Sequence, residues 1–273
     1  MSDPFLITEP TVISFSGGRT SGYMLWRVLQ SNGGLPDEAK VCFANTGKEE
    51  EATLEFVRDC GEKWNVEIVW LEYIPDNPKF KIVSFDTASR NGEPYEHLIK
   101  KKNFLPNPVT RFCTTELKIR IIHKYIQSIG WKHNEQMDWV GIRADEPRRA
   151  NKMSRDRLPL VSAGVTASDV GKFWSENSFD LGLPNHNGKT MHGNCDLCFL
   201  KGGAQVQSLI EEKPDRAIWW MNMEKFCQSS GMTKGNGDRF RKDRPSYEQM
   251  MMNALNQKKM NFEDETIPCY CGD

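Results

Sequence analysis

The stretch Thr11-Val-Ile-Ser-Phe-Ser-Gly-Gly-Arg-Thr-Ser-Gly22 decides the fold. Thr11 to Phe15 is a short β-branched and aromatic run that stops near glycines, the signature of a buried strand. Ser21 to Gln30 (SGYMLWRVLQ) reads as a helix. Between them lies a loop, Ser16 to Gly22, in a strand–loop–helix setting. Gly17 and Gly18 let the backbone approach an anion and take up positive φ. A helix start offers unpaired N–H groups and a positive dipole end. Ser16, Thr20 and Ser21 add hydroxyls, and Arg19 adds charge. The expected ligand of this loop, with Ser14 behind it, is a phosphate group. A glycine-rich turn that binds nothing is the competing reading, and the three hydroxyls weigh against it. The spacing fits neither a Walker A loop nor a Rossmann fingerprint.

Working outward, strand and helix signals alternate. Val41 to Ala44 and Glu67 to Tyr73 read as strands, and Glu49 to Trp64 as a helix with acids in its first turn. A polar stretch rich in Pro, Asn and Gly covers roughly residues 74 to 95. Thr114 or Thr115 is a candidate cap for a helix to about Ser128, because Leu117, Ile121, Ile122, Tyr125 and Ile129 fall at helical spacing. Asp138 to Ile142 is a fourth strand. The expected fold is α/β, an open and mostly parallel sheet with helices on both faces. Residues 1–160 make this nucleotide-binding domain. Residues 161–273 read as a small helical, cysteine-bearing C-terminal lobe packed on it. Thr166 caps a short helix, Ala167 to Trp174. A loop from Leu181 to Asn194 follows, then one or two helices over 203–228 and another from Pro245 to Asn256.

The bulk numbers exclude some classes. In 273 residues the formal net charge is −1, so nothing global points to nucleic acid or an anionic membrane. No apolar run approaches the roughly 18 residues of a membrane span. The first residues, MSDPFLITEP, suit neither a signal nor a transit peptide, and the expected location is the cytoplasm. The eight cysteines then argue for core packing, a metal site or redox chemistry rather than a disulfide framework. Cys42, Cys60 and Cys227 fall inside elements and read as buried apolar residues. Cys195-Asp-Leu-Cys198 is a C-x-x-C that suits zinc, a redox pair or part of an iron–sulfur site. Cys113 and the terminal Cys269-Tyr-Cys271 are further thiols. Nearby His192 reads as a loop histidine.

Arg111, Lys118, Arg120, Arg143, Arg148 and Arg149 lie in segments expected at the carboxyl ends of strands, where open α/β sheets bind ligands. Arginine forks match phosphate or sulfate. Glu146 is expected to pair with an arginine or help hold a metal. Asp238 to Arg244, with four basic residues and Phe240, reads as a solvated loop rather than a nucleic-acid contact.

The loop SGGRTS resembles the SGGxDS motif of the PP-loop family, which includes ATP pyrophosphatases and phosphoadenosine phosphosulfate (PAPS) reductases. Thr20 stands where many members have Asp. Asn45-Thr46-Gly47 with Ala52-Thr53 resembles the family's segment after strand two. Cys113-Thr-Thr-Glu-Leu-Lys-Ile-Arg120 and Gly141-Ile-Arg-Ala-Asp-Glu146 are similar to two further segments, in the family's order. The resemblance implies an adenine nucleotide alpha hydrolase-like fold. It implies ATP or PAPS as the nucleotide, held by the loop with Asn45, Thr46, Gly47, Arg120 and Arg143, and Mg2+ as its companion. It gives Lys118 and Arg143 catalytic or substrate-contacting roles. It also places a cluster cysteine at Cys113, so that Cys113, Cys195, Cys198 and Cys269 or Cys271 would hold a [4Fe–4S] cluster, with zinc as the alternative.

Two activities follow from the resemblance. One is ATP pyrophosphatase-type adenylylation of an acceptor in sulfur transfer, the acceptor being a nucleic-acid base or a small molecule. The other is sulfonucleotide reduction to sulfite, with Cys271 as candidate nucleophile, since Cys271-Gly272 partly echoes the reductases' E-C-G-x-H motif. A non-catalytic nucleotide- or cluster-sensing module is a third reading. No membrane partner is expected, and a homodimer is admitted.

Overall fold

The computed structural model describes residues 3–132, 135–186, 189–193, 195–231 and 237–256, together with Phe262, Asp264, Thr266 and Ile267. Its main sheet has β1 (Thr11–Ser14), β2 (Ala39–Asn45), β3 (Ile68–Tyr73), β4 (Phe80–Val83) and β5 (Met137–Val140), in the order β4-β3-β2-β1-β5. β1, β2, β3 and β5 are mutually parallel, and β4 closes one edge antiparallel to β3. Val12 and Ile13 are adjacent in β1 and both fully buried, because successive side chains enter opposite faces of the sheet and both faces are covered.

The helices on the main body are α1 (Arg19–Asn32), α2 (Glu51–Lys63), α3 (Glu93–Lys102), α4 (Phe112–Thr114), α5 (Arg120–Ser128), α6 (Pro147–Ala150), α7 (Pro159–Ser162) and α8 (Ala167–Glu176). A single π-helical turn, Thr115–Ile119, joins α4 to α5. A short hairpin of β6 (Asn185–His186) and β7 (Lys189–Thr190) precedes α9 (Gly203–Glu212), α10 (Arg216–Ser229) and α11 (Tyr247–Leu255). One face of the sheet, with Ile13, Phe43 and Trp70, packs with Met24 and Leu25 of α1, Phe56 of α2 and Trp174 of α8. The other face, with Val12, Cys42 and Leu71, shares one apolar cluster with Ile121 of α5 and with Leu197, Phe199 and Trp220 of the C-terminal half. This is the expected α/β architecture with a helical C-terminal part. In space α8 lies on α1, so the first part of 161–273 belongs with the sheet's far face, and the rest covers the near face.

Several details differ from the sequence reading. β4 and α3 emerge from the polar stretch because only one side of each is buried: Phe80, and Tyr95, Leu98 and Ile99. The helix expected from Thr114 or Thr115 begins at Phe112, whose ring is buried. β5 runs over 137–140 rather than 138–142, since Gly141 leaves the sheet to meet the first loop. The segment read as a solvated loop is instead buried at its centre. Phe240 is fully enclosed, Arg241 donates to Asp243 and to the Phe199 carbonyl, and Arg244 donates to the Lys201 carbonyl and Tyr247 Oη. Cys42, Cys60 and Cys227 are buried, as expected, and burial pushes the Cys227 thiol up to about 12.

Candidate functional site

The sheet reverses its winding between β1 and β5, so their carboxyl ends open a crevice of the kind that binds ligands. The chain leaves β1, turns at Gly17 with φ +78° and enters α1 at Arg19. A Cβ on Gly17 would lie 2.6 Å from Thr53 Cγ2 of α2. Ser21, in the first turn of α1, closes the loop. Its Oγ donates to the Gly18 carbonyl at 2.9 Å and accepts from Ser16 N and Ser16 Oγ at 3.2 and 3.0 Å.

The neighbouring Arg19 does not serve the loop's ligand side as expected. Its Nε and Nη2 donate to Asp180 at 2.7 and 2.5 Å, Nη2 also donates to the Leu183 carbonyl, and Nη1 donates to Thr190. Burial works to raise the Asp180 carboxyl, but Arg19 and the Leu181 and Gly182 N–H groups hold it below its ordinary value. The Arg19 charge is thereby neutralised, and the residue ties the Ser16–Gly22 loop to Asp180, Leu183 and Thr190.

Thr20 is buried and accepts from Arg143 Nη1 at 3.0 Å. Arg143 Nε donates to Asp145, and its main-chain N–H donates to Glu146 Oε2. Glu146 Oε1 accepts from Arg149, so Glu146 pairs with arginines. The first loop and the Gly141–Glu146 segment are thus joined, as the motif order implied. Arg120 pairs with Glu116 in an exposed position, Arg111 Nε donates to the Pro108 carbonyl, and Arg148 is exposed.

The segment after β2 builds the second wall. Asn45 is fully enclosed, donating to Glu72 and the Ser89 carbonyl while its Oδ1 accepts from Gly47 N. Gly47 has φ +77°, and a Cβ there would meet the Gly92 backbone at 3.0 Å. Thr46 donates to Glu49 and lies 3.4 Å from Cys195 Sγ. Lys118, on the π turn, is 3.8 Å from Glu49. Such turns recur at functional sites. Sequence reading passed over Glu49, taking it for a helix-start acid. Its 2 % side-chain exposure is a tertiary fact.

Cys113, Cys195 and Cys198 all act on the buried Tyr95 hydroxyl, Cys113 also through a side-chain hydrogen bond. Burial first, then these three cysteines, push that hydroxyl well above its ordinary range. Burial, then Glu49, pushes the Cys195 thiol up likewise. The C-x-x-C loop is clamped from all sides. Buried Lys201 donates to the carbonyls of Gly193, Cys195 and Asp196 at 2.7, 2.7 and 2.9 Å. Asp196 pairs with Lys48 at 3.0 Å and accepts from Trp220 Nε1. Thr266 and Ile267 lie alongside, with Ile267 N donating to the Leu200 carbonyl and Thr266 Oγ1 accepting from Gly202 N. Cys269 and Cys271 lie outside the described residues. Among the described residues no group of three or more His, Cys, Asp or Glu side chains is spaced to hold a metal ion. The three described thiols therefore do not close a centre by themselves. His192 bonds Glu212 at 2.7 Å.

A cavity of about 260 Å³ runs inward from Ser14 and Ser16, between the sheet and α5, and reaches Lys118, His123, Asp138 and Arg157.

Over 204 residues the chain is 30% identical to the uncharacterized nin region protein ORF290 of Escherichia phage lambda, covering 71% of this chain and 67% of that protein. The chain belongs to the ORF290 family. No family model matches it. Among solved structures, NMN synthetase from Francisella tularensis superposes with a TM-score of 0.43 at 14% identity, over 93% of this chain and 88% of that one. That score lies below the level at which a shared fold is shown. The α/β description of this ORF290 family member rests on its own sheet order, and no helix of its described residues is long and apolar enough to cross a membrane.

Proposed function

We propose that this chain is a PP-loop enzyme of the PAPS reductase-like kind that binds ATP, with Mg2+, and adenylylates an acceptor in sulfur transfer. The observation that carries the reading is the 3.4 Å contact between Thr46 of the nucleotide wall and Cys195 of the thiol group. This contact sets the segment after β2, one wall of the proposed nucleotide site, beside the cysteine-bearing loop.

In this reading the hydroxyls of Ser16 and Ser21 and the N–H groups of the α1 start hold the phosphates. Arg143, docked on Thr20, and Lys118, beside Glu49, face the charge that develops there. An acceptor oxygen attacks the α-phosphorus, the bond to the β-phosphate breaks, and pyrophosphate leaves. Hydrosulfide, supplied as a co-substrate, then attacks the acceptor carbon, forming the C–S bond as AMP leaves with the oxygen. Sulfonucleotide reduction requires a thiolate of lowered pKa. The thiol candidate for that step, Cys271, lies outside the described residues.

The test is pyrophosphate release from ATP with nucleic-acid and small-molecule acceptors supplied in turn. ATP affinity should fall at least roughly tenfold in Ser16→Ala/Ser21→Ala, the expected scale for losing one or two charge-assisted hydrogen bonds. Sulfite release from PAPS without AMP-forming turnover of ATP would overturn the reading. Cys113, Cys195, Cys198 and one tail cysteine are proposed to hold a [4Fe–4S] cluster. Anaerobic iron and sulfide analysis of wild type beside Cys113→Ala and Cys195→Ala decides that point, and stoichiometric zinc in a colourless protein would sink it.

A further inference from the structure

One oxygen at the inner end of the cavity is unaccounted for. Asp138 Oδ2 accepts from Arg157 Nη2 at 2.9 Å and bonds His123 Nε2 at 3.1 Å. Asp138 Oδ1 is buried and has no hydrogen-bond partner among the described residues. A buried acceptor without a donor is costly, and such atoms call for a ligand or another cause.

The cavity around this oxygen has the chemistry of a base pocket. Phe15, Cys42, Ala44, Ile119, Ile122 and Val140 give it apolar walls. About 260 Å³ is just below the roughly 300–1,000 Å³ of sites that take a whole drug-sized ligand, so it suits a flat bicyclic ring better than an entire nucleotide. The register fixes its direction. Val140 pairs with Ser14 at the loop end, whereas Asp138 pairs with Val12. Asp138 therefore lies two residues back from the sheet edge, roughly 6–7 Å at strand rise. A nucleotide with its phosphates at Ser16 and Ser21 would direct its base inward to this oxygen.

We infer that Asp138 is the specificity-determining residue of the nucleotide site, its Oδ1 accepting a hydrogen bond from the 6-amino group of adenine. A 6-oxo purine would set an acceptor against an acceptor at the same edge. The inference rests on the nucleotide reading above. It also predicts the effect of a single-atom exchange. In Asp138→Asn, the amide oxygen stays with Arg157 and His123, because both supply donors there. The amide nitrogen then occupies the orphan position and offers a donor.

The experiment is calorimetric titration of the full chain with ATP, ITP and inorganic tripolyphosphate. Wild type should bind ATP roughly 10- to 100-fold more tightly than ITP, the range for one unpaired buried acceptor. Asp138→Asn should level or reverse that ratio and leave tripolyphosphate binding unchanged. Asp138→Ala should bring ATP down toward ITP. A wild-type ATP-to-ITP ratio near one overturns the inference without any variant, as does a ratio unaltered in a folded Asp138→Asn. In both cases tripolyphosphate binding that depends on Ser16 leaves the phosphate-loop reading standing. If wild type binds none of the three, that reading and this inference fall together.

Discussion

Gly17 is the position in the Ser16–Gly22 loop where a single methyl group does most damage. Its φ of +78° disfavours any side chain, and the added carbon would press on Thr53 at 2.6 Å. Gly17→Ala should lower stability by about 1–3 kcal/mol, measured by urea unfolding, from strained backbone and displaced α2. The glycine's positive φ was legible in the sequence, since a strand that stops at two glycines ahead of a helix calls for a tight turn. The fate of Arg19 was not. Its partner Asp180 is 161 residues away, and no local pattern shows which carboxylate will neutralise a loop arginine. Thr20 was conspicuous against the aspartate of the motif that the loop resembles, but only the folded chain shows it accepting from Arg143. Asp138 looked like an ordinary strand residue for the same reason: an orphan oxygen is a property of its surroundings.

At the scale of elements, α10 carries a buried carboxylate whose protonation is linked to stability. Glu224 is enclosed between α10 and the 240–247 segment, where its carboxyl oxygens accept from the main-chain N–H groups of Phe240 and Tyr247. Burial raises its pKa from 4.5 to about 7, against the opposing pull of those N–H groups. Between these values the folded chain holds a proton that the unfolded chain has released, so this residue's contribution to stability falls as pH rises from about 4.5 to about 7. The slope approaches about 1.4 kcal/mol per pH unit for one group. Glu224→Gln should abolish that part of the pH dependence in chemical denaturation at pH 5, 6 and 7. The elements themselves were mostly readable where apolar spacing was continuous, as in α5. They were lost where burial is one-sided, as in β4 and α3, or where an arginine-rich run is folded inward, as at Arg241 and Arg244.

For the whole molecule, the near face of the sheet and the C-terminal helices share one apolar cluster. Trp220 is fully buried at its centre, edge-on to Phe240 and stacked with Tyr247. Trp220→Ala should cost about 3–5 kcal/mol and shift the unfolding of β1–β5 and the helical part together. Far-UV circular dichroism and tryptophan fluorescence should then trace one coincident transition in both proteins. Two separate transitions would show that the halves are energetically independent. The sequence reads as a lobe packed on a sheet. It could not show that the lobe completes the sheet's own core, because the side chains that do so, from Leu197 to Met250, carry no periodic signal joining them to β1.

Lys201 has one more implication. Its ammonium fills the middle of the C-x-x-C turn and gathers three carbonyls there. Elsewhere a cysteine knuckle commonly waits for an ion to give it shape, and folding and loading are then one event. Here the turn takes its shape from the chain's own cation, so its outline forms together with the fold.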